Sequence, residues 1–594
     1  MYPVERSPQE SFAWTASSAT ITLRGVDRDT PWRCTVRMRG ARPAGLPEPE
    51  AAIGIDGITM RTESAGAEYR EIDVDAPPSP RSKSLSLTIQ TTPTFVPGPS
   101  DRRELGVQVD AIRCSPSNGA RVAPPSAALI AAAFAGAAFG ALFAVLLSAL
   151  AAAASTGLLA GALAFVLDTG MAAYSPAYVG WIVPLAGWIA GPVLIAALVS
   201  SSRRALYPAG AFVLAFSSAV LFLKIVALLH PSKDVVDALF QAHRFDAVLA
   251  GNYYFTQPMP GGVRFPYAIG LYVTAAPWAR LLSDHVALLR IVVCVFEVFA
   301  AGLLYVAIAR SWNDRLSGAA AVVLYYAAPL PYVIIGNANL TFAFAQSVAV
   351  LAVVAATILP FQRRWLLSTA VLTATAGLGF LSHVGVFPVL AVTLVALASI
   401  CAWPRRRDLR TASGVLGATA LAAVLAIGSY YAHFPEVWRT LDRVRTPAVE
   451  QTTTAPPAPM AANPPLSISA RALRAAALCV RAYGLPLFLL ALPGVWLVLR
   501  DGRDRLTLAL AAWGIALAVF LAFRIIAPVD VQLQRYADEF IDRLYYFMLP
   551  GVAVLAARAA ASGWRAGSAI RWIGLVVVFS AAALGVEQWV TWMR

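Results

Sequence analysis

The sequence predicts a mainly α, polytopic membrane bundle of about 13–14 spans that carries an N-terminal all-β sandwich of jelly-roll type. Three observations predict it. Of 594 residues, 58% are hydrophobic and only 13% charged, against about 25% charged in a soluble domain. From Ser126 onward, apolar runs of span length follow one another. Before that point the period is two, with apolar and polar residues alternating over short segments.

The β-region occupies residues 1–122. Alternating segments recur at Thr20–Arg24, Arg33–Arg39, Ala51–Asp56, Tyr69–Val74, Ser84–Gln90 and Leu105–Arg113, with Gly/Pro-rich turns such as Arg42–Pro49 and Pro97–Pro99 between them. Period-two strands separated by regular turns predict an antiparallel sandwich. The proline-rich stretch Val122–Pro125 ends it. Cys34 and Cys114 each fall on a predicted strand; a disulfide in an oxidising compartment and two buried thiols are both open. Cys294, Cys401 and Cys479 sit in apolar runs as packing residues.

The membrane region divides into N-terminal helices over 123–205 and a main transmembrane domain over 206–594. Its spans are read at 126–148, 151–171, 177–200, 206–230, 287–309, 316–335, 340–360, 365–382, 384–403, 412–432, 474–499, 506–526, 544–558 and 571–589. Charge orients them. The chain carries +14 overall, while residues 1–120 hold 14 Lys/Arg against 15 Asp/Glu, so the excess lies in the membrane region. It is concentrated in six connections: Arg203–Arg204, Arg310–Arg315, Arg363–Arg364, Arg405–Arg410, Arg500–Arg505 and Arg558–Arg571. The positive-inside rule places these in the cytoplasm. The alternate connections, 231–286, 336–339, 433–473 and 527–543, then face out. This parity requires that Phe265–Ser283 not span; starting at Phe265–Pro266 and carrying Trp278 and Arg280, it reads as an interfacial helix. All five histidines fall at or near the outer side. The β-domain is outside if 126–148 and 151–171 form a hairpin, and inside if they form one span. Met1–Gln9 lacks a signal-peptide pattern.

Basic residues scattered between apolar runs form no single patch, which excludes nucleic acid as a partner. A P-loop, a GxSxG elbow and a dinucleotide fingerprint are all missing from the sequence, and so is any CxxC or His/Cys cluster of the zinc type.

The loop after the fourth span is the most informative. Asp234 and Asp237 are three apart and share a face if the loop is helical; His243 and Arg244 return toward that face two turns on. A carboxylate just outside the bilayer suits a general base or a ligand for a divalent metal, Mg²⁺ or Mn²⁺, at Asp237. The plainer reading is a solvated helix whose charges sit in water.

An acidic first outer loop, then an aromatic and proline-rich interfacial segment, then a bundle of spans resembles the GT-C class of membrane glycosyltransferases, which includes protein mannosyltransferases and lipid A aminoarabinose transferases. The resemblance covers roughly 206–550 and rests on architecture and one loop, DALFQAHRFDAVLAGNYYF. It implies an inverting transfer of a sugar from a polyprenyl-phosphate donor to a glycan, lipid or protein acceptor, at the outer face of the plasma (inner) membrane. It also implies a catalytic Asp in the first outer loop, here Asp237 or Asp234, with Tyr253, Tyr254 and Tyr267 lining the sugar site. The N-terminal segments FAWTASSATITLRGV, PWRCTVRMRG and TFVPGPSDRRELGVQVDAI resemble the extracytoplasmic sandwich found beside such proteins. That resemblance places the domain outside, with carbohydrate binding or a structural role open. Related chains begin with a membrane anchor, whereas this one begins at MYPVERS, which implies a lost anchor or an upstream start.

A donor phosphate needs a cation near the headgroups. Arg535 and Arg543 in the last outer loop suit it, as do Arg474 and Arg481 at the start of a span. Internal pairing of the first two with Asp538, Glu539 and Asp542 is the competing reading. His383 faces acceptor or phosphate, or merely closes a turn; Asn337 and Asn339 cap the next helix or line the cavity. The Pro/Thr/Ala-rich stretch within 433–473 reads as a linker or a lid. The rival function classes are a transporter or flippase of a lipid-linked glycan and a non-catalytic glycan-binding scaffold. A transporter should place ionisable residues near the midplane and show repeated halves; the sequence has few midplane charges, Lys224 and Glu297 being the exceptions, and no obvious repeat.

Overall fold

The computed structural model describes residues 1–594 apart from 3–4, 7–10, 25, 27, 44, 81, 83, 99–102, 118–123, 203–206, 234, 236, 259–263, 404–407, 436–466, 502–503, 527–533 and 594; at 6, 11, 171, 201–202, 258, 264–265, 501, 534–540, 568–570, 573 and 592–593 it describes the backbone alone. By internal contacts the chain divides into two units, Met1–Ala135 with Leu167–Val183, and Gly136–Val166 with Pro184–Arg594.

Among its described residues the first unit holds nine strands: β1 (Glu5–Arg6), β2 (Ser11–Trp14), β3 (Ser18–Arg24), β4 (Trp32–Arg39), β5 (Glu50–Ile55), β6 (Ile58–Ser64), β7 (Arg70–Ala76), β8 (Ser84–Thr92) and β9 (Gln108–Pro116). They form two sheets, β1-β2-β9-β4-β7 and β3-β8-β5-β6. The antiparallel pairs β2·β9, β3·β8, β4·β7 and β5·β6 are nested like the two arms of one long hairpin, and β4·β9 and β5·β8 join neighbouring turns of the roll. A rolled hairpin of this kind is a jelly roll. The alternation that announced the strands supplies the core: on β4, Trp32, Cys34, Val36 and Met38 face in while Arg33 and Arg37 face out. Cys34 lies directly opposite Cys114 on β9 and the two form a disulfide, with Cα atoms 4.0 Å apart.

β6 is absent from the sequence reading because nearly every residue on it is exposed, so no inward-outward alternation marks it. Its signal was the turn instead. Asp56 and Gly57, both at positive φ (51° and 86°), make the two-residue connection from β5. Asp-Gly is the sequence that a twisted hairpin of this length requires.

Helices cover the fourteen apolar runs, with a 47° bend between Arg315–Ala327 and Pro329–Gly336 inside the run 316–335. Among the described residues, eleven helices are long and apolar enough to cross a bilayer, and up to thirteen if each of two bent pairs is one span; Val386–Ala402 is shorter. Leu340–Ile358 is the central helix, buried on nearly all sides. Within the main unit the connections segregate to the two ends of the bundle. At one end Arg505 donates to the Leu359 carbonyl (2.9 Å) and pairs with Asp408 (3.4 Å), Arg410 donates to the Gln362 carbonyl (3.0 Å), and Trp312 donates to Asp504 (3.2 Å). Asp314 there receives Arg558 (2.9 Å) and Arg565 (2.5 Å). Five of the six arginine-rich connections thus form one layer; the sixth, at 203–206, lies outside the described residues, although the adjoining Tyr207 ring sits 3.5 Å beneath Arg315.

Two expectations change. The run read as one span over 474–499 is two helices, Ile468–Tyr483 and Leu485–Asp501, meeting at 102°. Gly484, at φ +75°, makes the corner, a conformation open to glycine at low cost. Arg474 and Arg481 therefore lie on an amphipathic helix that packs through Ala475, Leu478 and Ala482, and not inside a straight apolar span. Phe265–Ser283 does not span, but neither is it one interfacial helix. Thr256–Pro258 and Arg264–Pro266 pair as a short hairpin, followed by a helix over Gly270–Ala275 and a 3₁₀ turn at Ala276–Trp278.

Candidate functional site

At the end of the bundle opposite the arginine-rich layer, the loop after helix Pro208–Leu228 folds into an amphipathic helix, Ala238–Leu249. Ala238, Gln241, Ala242, Phe245 and Val248 form its buried face at helical spacing. Asp237 stands at the N-cap, exposed, and its carboxylate makes no capping hydrogen bond. The helix begins after Asp237; Asp234, with which the spacing suggested a shared face, lies outside the described residues. His243 and Tyr253 are exposed as well.

Gln241 is the polar exception on the buried face. Its amide donates to the Tyr267 hydroxyl (2.8 Å) and its carbonyl accepts from the Tyr272 hydroxyl (2.5 Å). Burial drives the Tyr272 phenol well above its ordinary pKa, with Tyr267 adding to the effect, so it stays a donor. Tyr267 reaches on to Thr341 at the start of the central helix (3.4 Å), and its backbone carbonyl accepts from the Tyr430 hydroxyl (2.5 Å). Tyr254 stacks on His433 at 4.5 Å and on Tyr430 at 5.8 Å. Arg244 lies over Phe240 (5.1 Å) and Phe255 (4.8 Å), giving its guanidinium an aromatic cradle.

One residue beyond Thr341, Phe342 carries the other half of the site. His383 packs on its ring at 4.8 Å, Tyr546 at 5.4 Å, and the Arg543 guanidinium lies 5.9 Å from its centre. Burial, and after it the Arg543 charge, push His383 down to about 3, so it is neutral at physiological pH. Its Nδ1 accepts from the Gly385 amide (3.0 Å), leaving the other ring nitrogen to carry the proton. Arg481 pairs with Asp542 at 2.6 Å, which ties the amphipathic helix to the helix of Arg543. Tyr545 donates to the Ala475 carbonyl (2.7 Å) across the same contact.

The structure thus links Tyr254 and Tyr267 through Tyr430, sets Arg244 over Phe240 and Phe255, and separately gathers His383 and Arg543 on Phe342. Asp237, His243 and Tyr253 stand exposed on the same loop region. Arg474 is exposed on its helix and the Arg535 side chain lies outside the described residues. Asn339 occupies the N-cap of the central helix but its side chain does not cap it. The Pro/Thr/Ala-rich stretch falls on 436–466, outside the described residues. Sequence reasoning missed Gln241, Tyr430 and the contact of Asp246 with His285 (2.5 Å), which ties the loop helix to helix His285–Ser311. Gln241 had a local signal, a polar residue at an apolar-face position. Among the described residues no three His, Cys, Asp or Glu side chains group as a metal site, and Asp237 supplies one carboxylate alone.

The fold and this cluster define a polytopic helical membrane protein with an aromatic and arginine-bearing site where its connections meet at one end. No family model and no curated protein matches the chain. Among solved structures, it is similar at 14% identity to ArnT from Cupriavidus metallidurans bound to undecaprenyl phosphate, with a TM-score of 0.41 over 64% of this chain and 75% of that one. The apo state of the same protein gives 0.41 over 65% and 76%, also at 14% identity. The Archaeoglobus fulgidus oligosaccharyltransferase in complex with Zn and sulfate gives 0.37 at 14% identity, over 60% of this chain and 49% of that one.

Proposed function

We propose that this protein is a membrane glycosyltransferase that moves a sugar from a polyprenyl-phosphate donor to an acceptor outside the cytoplasm. The observation that supports the reading is that two groups, Arg244 with Tyr254 and Tyr267, and His383 with Arg543 on Phe342, lie at the end of the bundle away from the arginine-rich connections. Aromatic faces suit a sugar ring, and guanidinium groups suit a phosphate.

The orientation follows from charge and redox chemistry. Arginine-rich connections stay in the cytoplasm, which puts the site outside. Four helices of spanning length, Ser126–Leu146, Ala149–Asp168, Pro176–Ser200 and Pro208–Leu228, separate the β-domain from the site loop. An even number returns the chain to the side it left, and the Cys34–Cys114 disulfide suits an oxidising exterior.

In the reaction, an acceptor hydroxyl attacks the anomeric carbon from the face opposite the phosphate. The carbon–oxygen bond to phosphate breaks and its electron pair leaves with the polyprenyl phosphate. The Asp237 carboxylate takes the acceptor's proton, and Arg543 stabilises the charge that grows on the departing phosphate. Arg481, already paired with Asp542, and Arg474 hold the donor beside it. A divalent ion at Asp237 has one described ligand here, and no step above runs through it. Full-length protein in proteoliposomes with a labelled polyprenyl-phosphate sugar tests the reading: label must pass to an acceptor.

A further inference from the structure

The amphipathic helix Ile468–Tyr483 presents more than the face it packs on the bundle. It opens on Ser467, whose side chain accepts from the Ala470 amide (3.2 Å), and closes at Gly484. Ala475, Leu478 and Ala482 form the packed face. Tyr545 donates to the Ala475 carbonyl (2.7 Å) and Tyr483 donates to the Tyr545 carbonyl (2.9 Å), which bonds the helix to Gln534–Ala566 at two points. Two other stripes remain. Residues seven apart lie almost on one line of a helix. Leu473 and Val480 make one such line, 74% and 37% exposed. One position further on, about 100° around the axis, Arg474 and Arg481 make the other. Asp542 takes one edge of Arg481 at 2.6 Å, yet the Arg481 side chain stays 66% exposed. Arg474 is exposed on the same line.

The neighbouring helix gives these stripes a direction. Leu485–Asp501 runs from Gly484 toward the arginine-rich layer that Arg505 joins, and it meets Ile468–Tyr483 at 102°. A helix set nearly at a right angle to a membrane-crossing one lies along the membrane surface. There the Leu473–Val480 line meets hydrocarbon, as an exposed apolar line requires. The Arg474–Arg481 line sits level with the headgroups, where guanidinium forms forked hydrogen bonds to phosphate. Charge selects the lipid. Between Glu450 and Asp501 the chain carries Arg471, Arg474, Arg481 and Arg500 and neither Asp nor Glu. A basic strip at a bilayer surface is complementary to anionic headgroups.

We infer that helix Ile468–Tyr483 lies in the bilayer interface and docks anionic phospholipid, with Leu473 and Val480 entering the edge of the hydrocarbon and Arg474 and Arg481 holding phosphodiester groups. The two arginines stand about 10 Å apart along the axis, so each serves its own phosphate. The partner is an ordinary lipid of the leaflet at the candidate-site end. In the transferase reading the same arginines receive a donor phosphate, which must then displace that lipid as it arrives from the bilayer. The inference itself does not rest on the transferase reading, since it concerns lipid contact and not sugar transfer.

Fluorescence quenching on the full-length protein in lipid nanodiscs tests it. Leu473→Cys, made together with Cys479→Ser so that the two other free cysteines are buried, carries a fluorophore at the apolar line. A nitroxide on the upper acyl chain of phosphatidylglycerol should quench it, and aqueous iodide should quench it poorly. The same nitroxide on phosphatidylcholine should quench less, with a preference for phosphatidylglycerol on the order of fivefold for one arginine at a membrane surface. Arg474→Gln leaves the Arg481–Asp542 pair in place and should remove part of the preference. Arg474→Gln with Arg481→Gln should bring the two lipids to near equality, while Arg474→Lys keeps the charge and should keep most of the preference. Strong quenching by iodide with little by either lipid would put the helix in water and overturn the proposal. Equal quenching by the two lipids in the chain with both arginines, or a preference that survives the double change, would overturn the anionic docking.

Discussion

The Tyr430 hydroxyl donates to the backbone carbonyl of Tyr267 at 2.5 Å, joining segments 163 residues apart. Together with the Tyr254 hydroxyl, which donates to the Ser429 carbonyl (3.4 Å), this bond holds the aromatic hairpin loop against the end of helix Leu409–Ser429, with Tyr254 stacked on Tyr430 and His433. Tyr430→Phe keeps the ring and removes the donor. A buried carbonyl left unpaired costs about 1–3 kcal/mol, so the solubilised protein should melt at a lower temperature. A melting curve unchanged from wild type would mean that the bond holds nothing in place.

At the other end, Asp314 gathers Arg558, Arg565 and Ser317. Burial opposes its ionisation, but the hydrogen bonds from Arg565 and Ser317 outweigh it and bring the carboxyl down to about 2. A depressed acid contributes stability that is complete above the unfolded pKa of about 3.9 and fades as pH falls toward 2. Asp314→Asn should lower the melting temperature at pH 7 and flatten its acid dependence in that window.

His383 has the opposite chemistry and the same sign. Its folded pKa, near 3, lies below the unfolded value of about 6.5, so the unfolded chain binds more protons between those limits. Stability should be full above pH 6.5 and decline as pH falls toward 3. In His383→Gln this decline should shrink, as seen by thermal melts across that range.

The disulfide closes a separation of 80 residues. Chain-entropy reasoning assigns such a loop about 4.5 kcal/mol. Alkylation of the unreduced, denatured protein should modify three cysteines, Cys294, Cys401 and Cys479, and all five after reduction. Cys34→Ser with Cys114→Ser should make the N-terminal domain markedly more sensitive to protease.

Much of this architecture was legible because it is local. Apolar runs near span length survive as helices from Ser126–Leu146 to Ser568–Met593, since lipid leaves the backbone no other way to satisfy itself. The longer β-strands with one buried face were legible; β6, exposed on both faces, and the short β2 were not. The break at Gly484 hid inside a hydrophobic stretch, although Arg474 and Arg481 ahead of it marked an amphipathic helix. At the site, residue types showed which side chains suit a sugar or a phosphate. What they touch was not legible: Tyr430 on Tyr267, Phe342 under His383 and Arg543, and Asp246 with His285 all depend on packing between distant segments.

The most direct test of the transferase account is the rate of sugar transfer by Asp237→Asn in proteoliposomes, set beside wild type and Asp234→Asn at equal amounts of folded protein. Asp237 is exposed at a helix start and holds no capping bond, so the amide should fold as the acid does and bind donor equally well. Loss of a general base slows a reaction by about 10²–10⁴-fold; that loss is predicted for Asp237→Asn, with a smaller one for Asp234→Asn. A reversed ranking would move the base to Asp234 within the same loop. Transfer within tenfold of wild type in both variants would contradict the account and leave the loop without a catalytic role.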